Sequence, residues 1–268
     1  MKPPPTPPPA TLAVHGLRVE RAGRMLAQLA RLEVHAGEFV ALIGPNGAGK
    51  SSLFRAFTGE WPASGHIGLW GRPLPHWPRV ELARRMAVMP QHSHLHFDFT
   101  VNEVIALGRL PHRGEPLRQT REAVQACMRA LELEPFAGRR FTTLSGGERQ
   151  RVQFARVMAQ LWGTPDPTLL LLDEPTSALD LAQQQSVLDQ AWRLSRAGTT
   201  VVAVMHDLNM AARYADRLVA LQQGQLVFDG APTDFLAQDR LAAVFGVQAQ
   251  VECSASDGLP VVLLGPRR

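Results

Sequence analysis

Three short stretches of this 268-residue chain carry residue types able to handle a phosphate. The first is Gly44-Pro45-Asn46-Gly47-Ala48-Gly49-Lys50-Ser51, spaced as G-x-x-x-x-G-K-S. Glycines at that spacing let backbone N–H groups point inward at an anion. The lysine reaches the β and γ phosphates, and the serine hydroxyl offers an oxygen to Mg²⁺. The second is the acid pair Asp173-Glu174, which closes the apolar run Leu169-Leu170-Leu171-Leu172. Two carboxylates at the mouth of a parallel sheet, beside a phosphate loop, suit a metal ligand and a base. The third is Leu144-Ser145-Gly146-Gly147-Glu148. Ser145 and Glu148 have capping-box spacing, and two glycines in a first helical turn, costly for a cap alone, expose N–H groups to an anion.

These groups need a scaffold that brings them to one edge. Phe39 to Ile43 is unbroken apolar sequence, as in a strand buried on both faces, and the helix after the loop turns Leu53, Phe54 and Phe57 inward before Gly59 stops it. Leu169 to Leu172 predicts a second buried strand, and Thr200 to Met205 a third that delivers His206 to the same edge. Asp207 then caps a helix running to Tyr214. Upstream, Leu12 to Val19 and Met25 to Val34 alternate on either side of Arg21-Ala22-Gly23-Arg24 and predict an antiparallel pair, joined by a strand at His66 to Trp70. After the strand Ala87 to Gln91 the period turns helical. Thr100 and Glu103 cap a helix carrying Val101, Val104, Ile105 and Leu107, with Gly108 expected to end it, and Pro111 to Pro116 reads as a loop. A second helix, about Thr120 to Leu133, has its stripe at Val124, Cys127, Met128 and Leu131, and a third spans Arg149 to Trp162. The remainder predicts a helix from about Ala182 to Ser195, a hairpin around Gln223-Gly224, a short helix near Phe235 to Phe245, and two strands turning at Asp257-Gly258.

With 45% apolar residues the chain can build a substantial core, yet no apolar run approaches the roughly 20 residues that span a bilayer. Met1 to Ala10, six of them prolines, lacks the apolar centre of a signal peptide and predicts a disordered tail, so the expectation is a soluble, cytosolic protein. Cys127 and Cys253 are not in a C-x-x-C arrangement, which argues against a disulfide framework or thiolate zinc site and leaves both as packing residues. A formal charge of +4 is spread along the chain and selects neither nucleic acid nor membrane.

Taken together and in order, GPNGAGKS, MPQ, LSGGERQR, LLLLDEPTSALD and VMHDLN resemble the ATP-binding-cassette ATPases, over nearly the whole chain from Thr11 to about Gly246. The resemblance implies an α/β fold: a P-loop NTPase (RecA-like) core with an antiparallel β subdomain at 11–90 and 163–246, and an inserted α-helical subdomain at 91–162. The tail at 1–10 and a β-hairpin extension at 247–268 flank it. It further implies that two identical chains dock head to tail around ATP. Gly44, Pro45, Asn46, Gly47, Ala48, Gly49, Lys50, Ser51 and Ser52 would then surround the phosphates, with Mg²⁺ on Ser51, Asp173 and Gln91. Glu174 is the implied base, His206 senses or positions the γ-phosphate, and Ser145, Gly146, Gly147 and Glu148 approach it from the opposite subunit. Asp180 belongs to the loop facing the partner. Where the family usually places an aromatic residue against adenine this chain has Arg21, leaving two readings, a stacking guanidinium or a surface residue.

Within that family, HSHLHFDFTVNEVIALGR, LDEPTSALDLAQQQ and VMHDLNMAARYADRL look like the ATPases of iron-complex and cobalamin importers, most like those for haem (hemin). Such a protein sits at the cytoplasmic face of the inner membrane under two transmembrane permease subunits, which take their ligand from a periplasmic binding protein. It has no nucleic-acid partner and meets the membrane only through the permease. Ferric-siderophore or cobalamin import is the alternative; a soluble non-transport cassette ATPase fits less well, for want of a coiled-coil insertion or a second cassette. Phe97 and Phe99 could dock a permease helix or pack internally. His92, His94 and His96 fall on one side of an extended segment, and their place after Gln91 favours a nucleotide-responsive stretch over a haem or metal site.

Overall fold

Alternation builds the first two strands. The computed structural model describes residues 9–91, 98–165, 167–255 and 258–264, with the backbone alone at Gln238. In it β1 (Leu12–Arg21) buries Leu12, Val14, Leu17 and Val19, and β2 (Arg24–Val34) answers with Ala27, Leu29, Leu32 and Val34. They pair antiparallel across Ala22-Gly23. β3 (Phe39–Ile43) is buried at every position and feeds α1 (Lys50–Phe57), whose inner face is Leu53, Phe54 and Phe57. β4 (Ser64–Leu69), β5 (Arg72–Pro73), α2 (Arg79–Arg85) and β6 (Met86–Met89) follow.

The chain then becomes helical through α3 (Val101–Ala106), α4 (Leu117–Ala130) and α5 (Gly146–Leu161). Both expected capping boxes form, Thr100 with Glu103 and Ser145 with Glu148. Gly108 does not stop the helix: a 3-10 segment continues from Leu107 to His112, absorbing the start of the expected loop. The glycine is needed for a different reason, since a Cβ there would run into the carbonyl oxygen of Arg156 on α5. The second helix starts earlier than its stripe suggests, directly after Pro116, and ends at Ala130 with Leu131 and Leu133 still buried.

β7 (Leu169–Asp173), α6 (Leu181–Arg196), β8 (Thr200–Val204), α7 (Leu208–Tyr214), β9 (Arg217–Gln222) and β10 (Gln225–Gly230) complete the core. The single helix expected near Phe235 is two, α8 (Pro232–Phe235) and α9 (Gln238–Phe245). β11 (Ala249–Cys253) and β12 (Pro260–Leu264) form their own two-stranded sheet. It is tied to α7 by Asn209, which accepts from Val262 N at 2.7 Å and donates to Val262 O at 3.3 Å. Cys127 is buried, its thiol pushed up to about 12 by desolvation, but Cys253 is exposed on β11 and is not the packing residue expected.

All remaining strands join one ten-stranded sheet in the order β5-β4-β1-β2-β10-β9-β3-β8-β7-β6. The antiparallel strands enter it through one parallel pairing, Gln225 with Gln28. Each face carries its own core. Phe39, Ala41 and Ile43 face the cluster that includes Phe154 of α5 and Val187 of α6, while Val40 and Leu42 face the one holding Leu53 and Phe57 of α1. Among the described residues no helix is long and apolar enough to cross a membrane. The tail residues 1–8, the histidine run with Phe97, and Asp257 of the last turn lie outside the described residues.

The contact under Gly108 is measurable. Gly108→Ala should lower unfolding stability by about 2 kcal/mol in urea titrations, because the methyl group overpacks against α5 backbone. Gly138→Ala, with nothing within 4 Å of its Cβ, should change it by less than about 0.5 kcal/mol.

Candidate functional site

Parallel pairing sets the height of the site. Leu42 of β3 pairs with Val204 of β8, which pairs with Asp173 of β7, so the three strands end level. Gly44, Glu174 and the segment leading to His206 therefore leave the sheet at one edge. The loop from Gly44 to Gly49 closes over that edge, and Gly49 caps α1 in the left-handed region at φ 99°. A side chain there would also strike the carbonyl oxygen of Leu26 on β2, so the loop lies directly on the neighbouring strand.

Lys50 is buried, and its Nζ donates to the carbonyl oxygens of Gly44 at 2.8 Å and Pro45 at 3.0 Å. Burial lowers its pKa, and the carboxylates of Glu174 and Asp173 work against that. Ser51 Oγ donates to Asp173 Oδ1 at 3.3 Å. Asp173 has its pKa raised first by burial, with the Ser51 hydrogen bond opposing.

Glu174 is gripped at both carboxylate oxygens. Gln91 Nε2 donates to Oε2 at 2.6 Å, and His206 Nε2 lies 2.6 Å from Oε1. Its backbone sits at φ 53°, a left-handed conformation disfavoured for a residue with a side chain. Gln150 of α5 stabilises this bend by donating from Nε2 to the carbonyl oxygens of Glu174 and Pro175, each at 3.3 Å.

These groups border a cavity of about 820 Å³, lined by Asn46 to Ser52, Gln91, Glu174 and His206. Asp173 lies behind it, in a smaller cavity shared with Ser51 and Gln91. The structure thus brings together the phosphate loop, the acid pair, Gln91 and His206. It keeps two predicted groups apart from them. Arg21 does not line the cavity: its guanidinium lies 4.4 Å from the centroid of the Trp61 ring, and Arg24 across the turn lines the cavity instead. Ser145, Gly146, Gly147 and Glu148 are also absent from the lining. Ser145 and Glu148 cap α5 reciprocally, with Ser145 N donating to Glu148 at 2.7 Å, and that bond lowers the carboxyl's pKa. Ser145 and Gly146 are exposed. Asp180 caps α6 by accepting from Gln183 N at 2.8 Å.

Sequence reasoning missed Gln150 and, although it placed the Gln223-Gly224 hairpin turn, that turn's contact with the phosphate loop. Gly224 N donates to Ala48 O at 3.0 Å and its carbonyl accepts from Gln28 N at 2.6 Å, so the turn pins the phosphate loop to β2. Nothing in a hairpin pattern announces such a contact. Gln150 lies two residues after Glu148, and its position within the motif was the one available signal.

The model of the ABC transporter family matches residues 28–177. The chain belongs to the ABC transporter family of ATP-binding proteins. This ABC ATPase is 44% identical over 251 residues to the hemin import ATP-binding protein HmuV of Plesiomonas shigelloides, covering 89% of this chain and 95% of the relative. It is 44% identical to HmuV of Pseudomonas aeruginosa, covering 94% and 99%. Its fold superposes on a solved protein described as a metal-chelate type ABC transporter in an inward-facing conformation, with a TM-score of 0.79, 26% identity, and 97% and 98% of the two chains covered. A solved ATP-binding subunit of an ABC transporter gives a TM-score of 0.75 at 25% identity, covering 88% and 96%.

Gln150 offers a test of how far the ABC ATPase depends on this geometry. Gln150→Leu should lower kcat for ATP by about tenfold with a smaller change in KM, since it loosens the bend under Glu174 without touching the phosphate loop. Steady-state phosphate release on the purified chain measures both.

Proposed function

We propose that this ABC ATPase powers hemin uptake through a membrane permease. The observation that carries the reading is the 44% identity to hemin import ATP-binding proteins across nearly the full length of both chains. The protein works at the cytoplasmic face of the inner membrane, as a homodimer beneath two transmembrane permease subunits. A periplasmic binding protein delivers the cargo, and the chain meets neither nucleic acid nor lipid on this route.

The residues present fit ATP with Mg²⁺. Ser51 Oγ and the Asp173 carboxylate, already paired at 3.3 Å, form a hard oxygen donor set, with the Gln91 amide oxygen as a further ligand. When bound, the ion neutralises charge on the phosphate oxygens. Lys50 and the N–H groups of Asn46 to Ser52 hold the phosphates against the start of α1. Glu174 accepts a proton from the attacking water. Its grip by Gln91 and His206 orients the carboxylate, so the two also report on the phosphate end of the cavity.

Ser145, Gly146, Gly147 and Glu148 complete the pocket of the partner copy. The exposure of Ser145 and Gly146 at a helix start, with all four residues outside the cavity of their own chain, is what supports a composite site. The domain reading follows the same logic: α3 to α5, within 91–162, carry this turn as a helical subdomain. The core of 11–90 and 163–246 carries the phosphate loop, and 247–268 is an appended hairpin.

Reconstitution with the permease tests the cargo. Hemin-loaded binding protein should accelerate phosphate release, and ferric-siderophore- or cobalamin-loaded proteins should not. Ferric-siderophore or cobalamin import is the alternative, and acceleration by one of those ligands alone would assign it. Glu174→Gln should retain ATP binding, reduce turnover by about 10²-fold or more, and accumulate as a dimer with Mg-ATP in light scattering. A monomer that still binds ATP would sink the composite site.

A further inference from the structure

The sequence match to the ABC transporter family ends at residue 177, far short of the two-stranded sheet of β11 and β12, and none of that sheet's described residues lines the nucleotide cavity. The sheet is nevertheless bonded to the segment that carries His206.

His206 stands at a lightly held point of the backbone. β8 ends at Val204, and Met205 N makes the last bond to the large sheet, donating to Leu42 O at 3.1 Å. Among the described residues no backbone hydrogen bond reaches His206 itself. The next fixed point is the cap of α7, where Asp207 Oδ1 accepts from Asn209 N at 2.8 Å and from Met210 N at 3.0 Å. With His206 Nε2 only 2.6 Å from Glu174 Oε1, the imidazole keeps that contact only while the turn behind it keeps its place.

Asn209 fixes that turn. Its side-chain amide carries the same donor and acceptor as a peptide unit and uses both on one residue of β12, accepting from Val262 N at 2.7 Å and donating to Val262 O at 3.3 Å. Val262 pairs with Val251 across the hairpin, and because its N–H and C=O both turn to Asn209, this is a pair whose hydrogen bonds point away from the partner strand. The edge of β12 is thus met by a side chain where a further strand would otherwise pair. Val262 and Ala249 are buried in the same core cluster as Ala211 and Ala212 of α7, so packing seats the sheet alongside the amide.

We propose that Asn209 is a positioning residue for hydrolysis. Through it the C-terminal sheet holds the first turn of α7, and with that turn His206, at the distance from Glu174 that turnover needs. The inference rests on the reading of Glu174 as the base and of His206 as its clamp, and it gives the hairpin a part in a reaction whose reactants it does not touch.

Phosphate release by the full-length chain is measured for Asn209→Ala and for the control Gln250→Ala/Glu252→Ala, at exposed positions of β11. Asn209→Ala should lower kcat about fivefold and leave KM for ATP within about twofold, and the control should match the parent chain. In a chain already carrying His206→Ala, adding Asn209→Ala should cause no further loss, because both changes act at one contact. A spectroscopic readout accompanies the rates: the His206 ring nitrogens, assigned in isotope-labelled protein by their disappearance in His206→Ala, should shift in Asn209→Ala and stay in place in the control. Should Asn209→Ala misfold, Asn209→Asp, which keeps the acceptor for Val262 N and loses only the donor, is expected to lower kcat about twofold and to move the same resonances. Equal losses from Asn209→Ala with and without His206, a loss carried by KM, or unmoved ring resonances overturn the brace. If His206→Ala itself retains full kcat, the clamp reading falls separately, and the resonances then decide for or against the brace.

Discussion

Parallel pairing of β3, β8 and β7 holds Gly44, Glu174 and His206 at one level, and it does so because all three strands are buried on both faces. Alternate residues of each strand belong to different cores: Leu170 and Leu172 pack with the α5 and α6 side, Leu169 and Leu171 with the α1 side. Slipping one strand by a residue would exchange these sets and fill each core with side chains of the wrong shape. Register is thereby fixed by packing, and the polar residues at the strand ends inherit their positions from apolar ones.

Geometry at the edge is secured a second time by hydrogen bonds that reach it from elsewhere. Gly224 ties the phosphate loop to β2, Gln150 braces the bend at Glu174, and Gln91 and His206 clamp the carboxylate. The cost of a left-handed glutamate, of order 1–3 kcal/mol, is tolerated only where the surroundings over-determine it. Gln150 also links the site to the helix carrying Ser145 and Gly146. A shift of α5 relative to β7 would thus be felt at the carboxylate.

Much of this was legible in the sequence because it is local. The phosphate loop, both capping boxes and the three buried strands depend on residues within a few positions of one another. The first hairpin needs only two alternating runs and a glycine turn. The errors are non-local. Gly108 was misread because its partner, Arg156, is 48 residues on, and a glycine required for close approach looks in sequence like a helix stop. At Arg21, where the family usually places an aromatic residue, the sequence left a stacking and a surface reading open, and only the distant Trp61, over which its guanidinium lies, speaks for the second. The contacts of Gly224 and Gln150 run between segments that no pattern connects.

The chain contains two lysines and 26 arginines, and Lys50 is the only lysine among the described residues, Lys2 being in the tail. Guanidiniums do not form imines with aldehydes or amides with activated esters under mild conditions, whereas a desolvated amine of lowered pKa carries more of its reactive neutral form. Acylating and carbonyl reagents thus have very few places to go. With Lys2 replaced and the terminal amine blocked, a fluorophore or crosslinker directed at amines would have the nucleotide loop as its one address, a consequence of an arginine-rich composition.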